Sequence, residues 1–423
     1  MQVIENLKVK EKLYTEKLEN GLTVMIIPKK GIQKKYIIWG TNYGSNDSTF
    51  IVPGETEITE VPKGVAHFLE HKMFEQENGK NSLDVLTALG VNANAYTTNN
   101  HTAYLYECTD NFYEALDEFM DYVQHPYFTD ENVEKEKGII GQEIMMYDDY
   151  PDWKVYLNAL ECMYHKNPVK LDITGTVETI SHIDKEILYK CYNTFYNPSN
   201  MAMVISGDFE PEKLLEEIKK RLIDKKANGE IKRIFEDEPK EIVKEKVVQN
   251  MEVSQPLYAI GIKDVPAEQK EKVKKHISIE ILLNLLIGAS SELYKELYDI
   301  GNCYSTPSIE YEFDKNYAHI LIIGQSTEPE KLYNMFKEEV RKFIQSGVNE
   351  KDFERIKKMI YGEYVKEYDD VVNISRMFLS DYFKGINSFD YLEEINTINV
   401  EYLNQVLKDV FNEKNMILSV VKN

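Results

Sequence analysis

The stretch Gly64-Val65-Ala66-His67-Phe68-Leu69-Glu70-His71-Lys72-Met73-Phe74 holds two histidines four residues apart, with a glutamate directly before the second. On an α-helix, positions i, i+3 and i+4 share a face, so His67, Glu70 and His71 project together. Two neutral imidazoles at that spacing can grip one Zn²⁺, and the carboxylate beside them can take a proton from water polarised there. The order His-x-x-Glu-His reverses the more familiar His-Glu-x-x-His arrangement. The pattern predicts a metal helix over about residues 64–77.

Upstream of this helix, residues 13–61 read as strands; Leu22-Thr23-Val24-Met25-Ile26-Ile27 follows a glycine turn and Tyr36-Ile37-Ile38-Trp39-Gly40 a lysine-rich one. Downstream, residues 82–89 read as a short helix stopped by Gly90. Residues 91–97 and 102–106 flank Asn99-Asn100 and read as a β-rich hairpin. Residues 111–124 place Phe112, Ala115, Leu116, Phe119 and Val123 on one helical stripe. A further helix is predicted from Phe128 to about Tyr147, with Pro151 closing the region. Residues 202–207 return to a strand.

With 43% hydrophobic and 29% charged residues the chain has a globular balance, and 423 residues exceed what one core serves. Lys+Arg 50 against Asp+Glu 72 leaves a formal net charge of -22, which argues against nucleic-acid or anionic-membrane binding. The N-terminus has no apolar core fit for a signal peptide, and the most apolar run, 281–289, is too short to span a bilayer. Cys108, Cys162, Cys191 and Cys303 form no C-x-x-C pair and read as reduced thiols, so a cytoplasmic location is expected.

Residues 224–250 turn to charged residues and read as a linker between a catalytic domain, 1–223, and a second domain, 251–423. The second half repeats the first at a shift of about 220: Asn111-Phe112-Tyr113-Glu114-Ala115-Leu116 pairs with Lys331-Leu332-Tyr333-Asn334-Met335-Phe336, and 128–133 with 348–353. At that shift His67 to His71 falls on 287–291, so the second copy lacks the metal groups. The expected fold class is α+β: two similar domains, each an antiparallel-rich sheet with helices packed on it, related by internal duplication.

A catalytic zinc takes three protein ligands and keeps one position open. The helix after residue 128 offers Glu136 and Glu143, seven residues apart and nearly on one face. Gly138 and Gly141 between them suggest that this face packs tightly on the metal helix. With these motifs in order the chain resembles the pitrilysin/insulinase family of zinc metallopeptidases, the inverzincins, in its small two-domain subclass of bacterial processing-protease-like subunits. In that family the His-x-x-Glu-His helix is followed by two glutamates seven apart, the later of which ligates zinc.

The resemblance implies His67, His71 and Glu143 as ligands of one Zn²⁺ per chain, Glu70 as general base, and Glu136 supporting the site from behind. Asn94-Ala95-Tyr96-Thr97 match the family's edge strand, on which an extended peptide docks through its backbone. A zinc endopeptidase acting on peptides or unfolded segments is implied, each chain forming half of a chamber in a dimer. One departure stands out. Where the family places an Arg and a Tyr in the second domain, this chain has Tyr298 and, one residue early, Tyr304; the next Arg in sequence is Arg341. The expected partner is therefore either a homologous subunit carrying that pair or a second copy in which other donors replace it. A non-catalytic structural or binding subunit of the same fold is the alternative. His101 follows the docking strand, near enough for the cleft, and reads as a turn residue; His125, His165, His182, His276 and His319 show no ligand spacing and read as structural or surface residues.

Overall fold

The computed structural model describes residues 1–423. The part of the chain around the metal helix forms strands β1 (Gln2–Asn6), β2 (Glu11–Lys17), β3 (Thr23–Pro28), β4 (Lys35–Thr41), β5 (Thr49–Ile51), β6 (Thr59–Glu60), β7 (Asn92–Thr97), β8 (Thr102–Cys108), β9 (Met201–Gly207) and β10 (Lys232–Arg233). Seven build one sheet in the order β1-β2-β3-β9-β4-β8-β7, in which only β3 and β9 run parallel. Strand β9 is buried at every position, as a continuous apolar run in mid-sheet requires. Strand β7 lies at the sheet edge, paired only with β8.

The later part of the chain forms β11 (Lys246–Asn250), β12 (Leu257–Asp264), β13 (Ser308–Phe313), β14 (Ala318–Gln325) and β15 (Met416–Lys422). Their order is β11-β15-β12-β14-β13, again with one parallel pair, β11 and β15. This is β3-β9-β4-β8-β7 repeated strand for strand. The helices follow suit: Ser82–Ala88, Phe112–Gln124, Asp130–Asp148, Pro151–Met163 and Lys185–Phe195 recur in order as Glu292–Asp299, Pro329–Ser346, Glu350–Glu367, Val371–Lys384 and Val400–Val410. The duplication expected from the sequence is present in these five strands and five helices, while β1, β2, β5, β6 and β10 have no counterpart in the later part. The metal helix recurs as Lys272–Leu286, upstream of the 287–291 stretch that a uniform shift predicts, because the connection after it differs in length.

The spatial units cut across the linear halves. One comprises Met1–Ile144, Asp172–Ile234 and Lys366–Ser388; the other comprises Met145–Leu171, Phe235–Val365 and Phe389–Asn423. Equivalent helices have changed places. Pro151–Met163 packs on β12 and β15, burying Val155, Ala159 and Met163 with Leu257, Ala259 and Ile417. Val371–Lys384 packs on β9 and β4, where Tyr382 and Thr23 share a 2.8 Å hydrogen bond. Two equivalent glycines permit these approaches. A Cβ on Gly40 would lie 2.9 Å from Leu379 and Phe383, and one on Gly261 would lie 2.9 Å from Met163 and Ile417.

The division at 1–223 and 251–423 is thus corrected by two exchanged segments, and the 224–250 linker is corrected as well. Its early part belongs to the first unit: Ile231 is buried, β10 pairs with β5, and Arg233 meets Asp47 at 2.8 Å. Its later part belongs to the second, where Glu238 accepts hydrogen bonds from the backbone N–H groups of His165, Lys166 and Asn167 at 2.9, 2.7 and 2.8 Å. No helix is long and apolar enough to cross a membrane.

Candidate active site

The metal helix spans Val65–Lys72, shorter than the predicted 64–77. It stops because Phe74 turns into the core and Glu75 bridges to Asn81 instead of continuing the helix. At its start Gly64 has φ 92, and a Cβ there would lie 2.5 Å from the Thr174 carbonyl oxygen, so glycine is needed on both counts. Phe68 and Leu69 are fully buried in the first unit's core, which fixes the helix rotation and turns His67, Glu70 and His71 to the other side.

Helix Asp130–Asp148 supplies the third donor. Its Val133, Ile140 and Ile144 are buried in the same core, and Glu136 and Glu143 project toward the histidines. His67 Nε2 lies 3.7 Å from Glu143 Oε1, and His71 Nε2 lies 3.6 Å from Glu143 Oε2. One donor atom from each of His67, His71 and Glu143 lies within 4.8 Å of the others. Two ligands at zinc bond lengths on a tetrahedral ion are about 3.4 Å apart, so this donor set fits Zn²⁺ with small adjustments. Burial, then the neighbouring His71, pushes His67 down to about 3, which keeps its lone pair free to ligate. Gly138 and Gly141 do not mark close packing as expected: a Cβ on either would meet nothing within 4 Å.

Glu136 stands behind the histidines. Its Oε1 lies 3.1 Å from His71 Nδ1, the partner that fixes which ring nitrogen carries the proton. Burial alone would lower the His71 pKa, but the Glu136 bond and the surrounding carboxylates carry it above the ordinary value. Glu136 moves the other way: burial would raise it, yet His71 and Lys72 bring it below the carboxylate norm.

Glu70 is 8% exposed, and burial raises its pKa against the opposing pull of Thr97 and His71. Thr97 Oγ1 donates to Glu70 Oε2 at 2.6 Å, joining the edge strand β7 to the metal helix. On that strand the backbone N–H of Ala95 is met by its neighbour Asn94 Oδ1 at 2.9 Å. Tyr96 is held from behind, with its ring 5.5 Å from the Arg376 guanidinium and its hydroxyl 3.4 Å from His101 Nε2. His101 is thus a buried brace of the strand rather than an ordinary turn residue.

In the second unit Tyr298 and Tyr304 are exposed. Sequence distance hid an arginine here: Arg355 Nη1 lies 2.6 Å from Ser290 Oγ. It reaches the start of helix Glu292–Asp299, however, whereas Tyr298 stands near its end. His276 and Glu280 on the repeated metal helix face one another at 3.5 Å, with His276 Nδ1 bonded to the Tyr391 hydroxyl at 2.9 Å.

Two imidazoles and a carboxylate converging beside a buried glutamate define the site of a candidate metal-dependent hydrolase. The chain belongs to the pitrilysin/insulinase family: residues 50–177 match the description "Insulinase (Peptidase family M16)" and residues 182–360 match "Peptidase M16 inactive domain". It is 38% identical over 410 residues to YmfH of Bacillus subtilis (strain 168), described as an uncharacterized zinc protease, covering 96% of this chain and 95% of that one. The crystal structure of an M16-like peptidase from Alicyclobacillus acidocaldarius shares the fold with a TM-score of 0.94 and 32% identity over 99% of both chains. The periplasmic protease PqqL from Escherichia coli is similar in fold alone, with a TM-score of 0.77 at 17% identity; the whole of this chain lies on 48% of that one.

Proposed function

We propose that the protein is a zinc-dependent endopeptidase, with His67, His71 and Glu143 as zinc ligands and Glu70 as general base. The observation that carries this reading is the convergence of the three donors with Glu70 one helical step away, its carboxylate oriented by Thr97. Zinc bound there would supply a Lewis acid that polarises water and the scissile carbonyl. Glu70, raised by burial, takes a proton from the attacking water and returns one to the leaving amine. Strand β7 has an unpaired edge, so an extended peptide adds to it as a further strand across Asn94, Ala95, Tyr96 and Thr97. The bond between Ala95 N–H and Asn94 Oδ1 gives way to one with the peptide.

The chain works paired with a second chain of this fold, as the half-length alignment with PqqL supports. Hydrolysis of a mixed quenched-peptide set, with zinc content and native mass measured on the same sample, tests the reading. Chelator-sensitive cleavage lost in Glu70→Gln supports it. Zinc-loaded protein that cleaves nothing, alone or with a homologous subunit, overturns it.

A further inference from the structure

Lys72 directly follows the histidine motif, and the chemistry above makes no use of it. Its side chain is 0% exposed, whereas lysine is almost never fully buried unless paired. The ammonium lies 2.7 Å from Glu75 Oε2 and 3.6 Å from Glu136 Oε2. It is held there by charge rather than by well-aligned hydrogen bonds. Glu136 is 6% exposed, so water contributes little to stabilising its charge, and its other oxygen faces His71 Nδ1 at 3.1 Å.

These contacts form a relay of positions from Lys72 through Glu136 to His71. A carboxylate with one neutral N–H neighbour is free to rotate and is costly to keep ionised away from water. A buried cation on Oε2 removes both problems and leaves Oε1 aimed at the imidazole. With Nδ1–H so engaged, His71 turns its Nε2 lone pair toward Glu143. His67 offers the contrast: its Nδ1 is buried without a hydrogen-bond partner, so no carboxylate orients that ring from behind.

We infer that Lys72 is a positioning residue of the metal centre, acting through Glu136 to hold the His71 imidazole in its ligating tautomer and orientation. The inference rests on the zinc site proposed above. Its test is a double-mutant cycle on the full chain, comparing wild type, Lys72→Met, Glu136→Gln and the double variant. Zinc affinity is read by competition with a chromogenic chelator, and Co²⁺ loading adds a spectrum that reports ligand geometry. Outer-shell partners of ligating histidines are worth ~10–100-fold in metal affinity. Lys72→Met is expected to weaken zinc at least ~10-fold and to alter the Co²⁺ spectrum, but to add less than ~2-fold once Glu136→Gln is present.

Unchanged affinity in Lys72→Met, or the same loss with and without Glu136, would overturn the inference. If Lys72→Met does not fold by circular dichroism, Lys72→Gln keeps a polar head for Glu75 and supplies the same comparison. Wild-type protein that binds no zinc overturns the proposed function as well. Tight wild-type binding indifferent to Lys72 overturns this inference alone.

Discussion

Thr97 Oγ1 and Glu70 Oε2 are joined by a 2.6 Å hydrogen bond that ties edge strand β7, the proposed docking strand, to the proposed general base. A hydroxyl on one carboxylate oxygen leaves the other free to face water, so the bond orients the base and also favours its ionised form. Thr97→Val is nearly the same size and removes only the donor. It is expected to lower kcat about tenfold with zinc content unchanged, while Glu70→Gln loses at least ~10² with zinc retained. Steady-state kinetics beside metal analysis checks both; full activity in Thr97→Val would remove the bond from the mechanism.

The three proposed ligands make a separate claim about the metal. Glu143→Ala and His71→Ala each leave two donors where a catalytic zinc needs three. Both variants are expected to purify with less than about a tenth of the wild-type zinc, since site closure depends on all three. Neither change opens the core, because both side chains are part-exposed at 23% and 27%, so thermal unfolding of the metal-free proteins should differ little. Stoichiometric zinc in Glu143→Ala would move the third ligand elsewhere.

The proposed docking on β7 uses backbone rather than side chain. Ala95→Pro deletes the N–H that now meets Asn94, at an edge position where proline is tolerated. We expect kcat/KM for peptides to fall about tenfold, the value of one lost ~1.4 kcal/mol interaction. Equal kcat/KM for wild type and Ala95→Pro would place the substrate on another element.

The metal helix, the hairpin after it and the duplication were legible because each rests on short-range pattern: histidine spacing, turn residues and apolar periodicity. Glutamate roles were less so, since Glu136 and Glu143 share a helix face and only the family resemblance ranked them. The exchange of Pro151–Met163 and Val371–Lys384 left no local trace. An apolar helix face reads alike whichever sheet it covers, and Gly40 and Gly261 become informative only when Phe383 and Met163 are seen above them. Gly138 and Gly141 misled for the same reason, because glycine marks either a close approach or mere tolerance. Lys72 and Glu136 meet across a long stretch of chain, beyond the reach of any spacing rule.

The exchanged helices predict paired defects. Gly40→Val forces its side chain into Leu379 and Phe383, and Gly261→Val into Met163 and Ile417. Overpacking of a filled core costs roughly 1–3 kcal/mol. Each variant should lower the urea midpoint, and opening space opposite, by Phe383→Ala with Gly40→Val, should recover part of the loss for that strand alone. Wild-type midpoints in both glycine variants would contradict the exchange.

Glu238 supplies a stability effect with a defined pH window. Burial would raise its pKa, but the Lys263 ammonium and the N–H groups of His165, Lys166 and Asn167 bring it down to about 2. A carboxyl held below its unfolded value of ~4.3 binds fewer protons when folded. Its contribution is therefore complete above about pH 5 and shrinks as the pH falls toward the folded value. Glu238→Gln removes the charge and leaves Lys263, itself 4% exposed, without its carboxylate. A loss of about 1.5–3 kcal/mol at neutral pH is expected, the range for hydrogen bonds to charged groups. The gap between wild type and variant should narrow steadily from pH 5 to pH 3 in urea unfolding. A gap that stays constant over that interval would mean that the charge of Glu238 does not hold residues 165–167 in place.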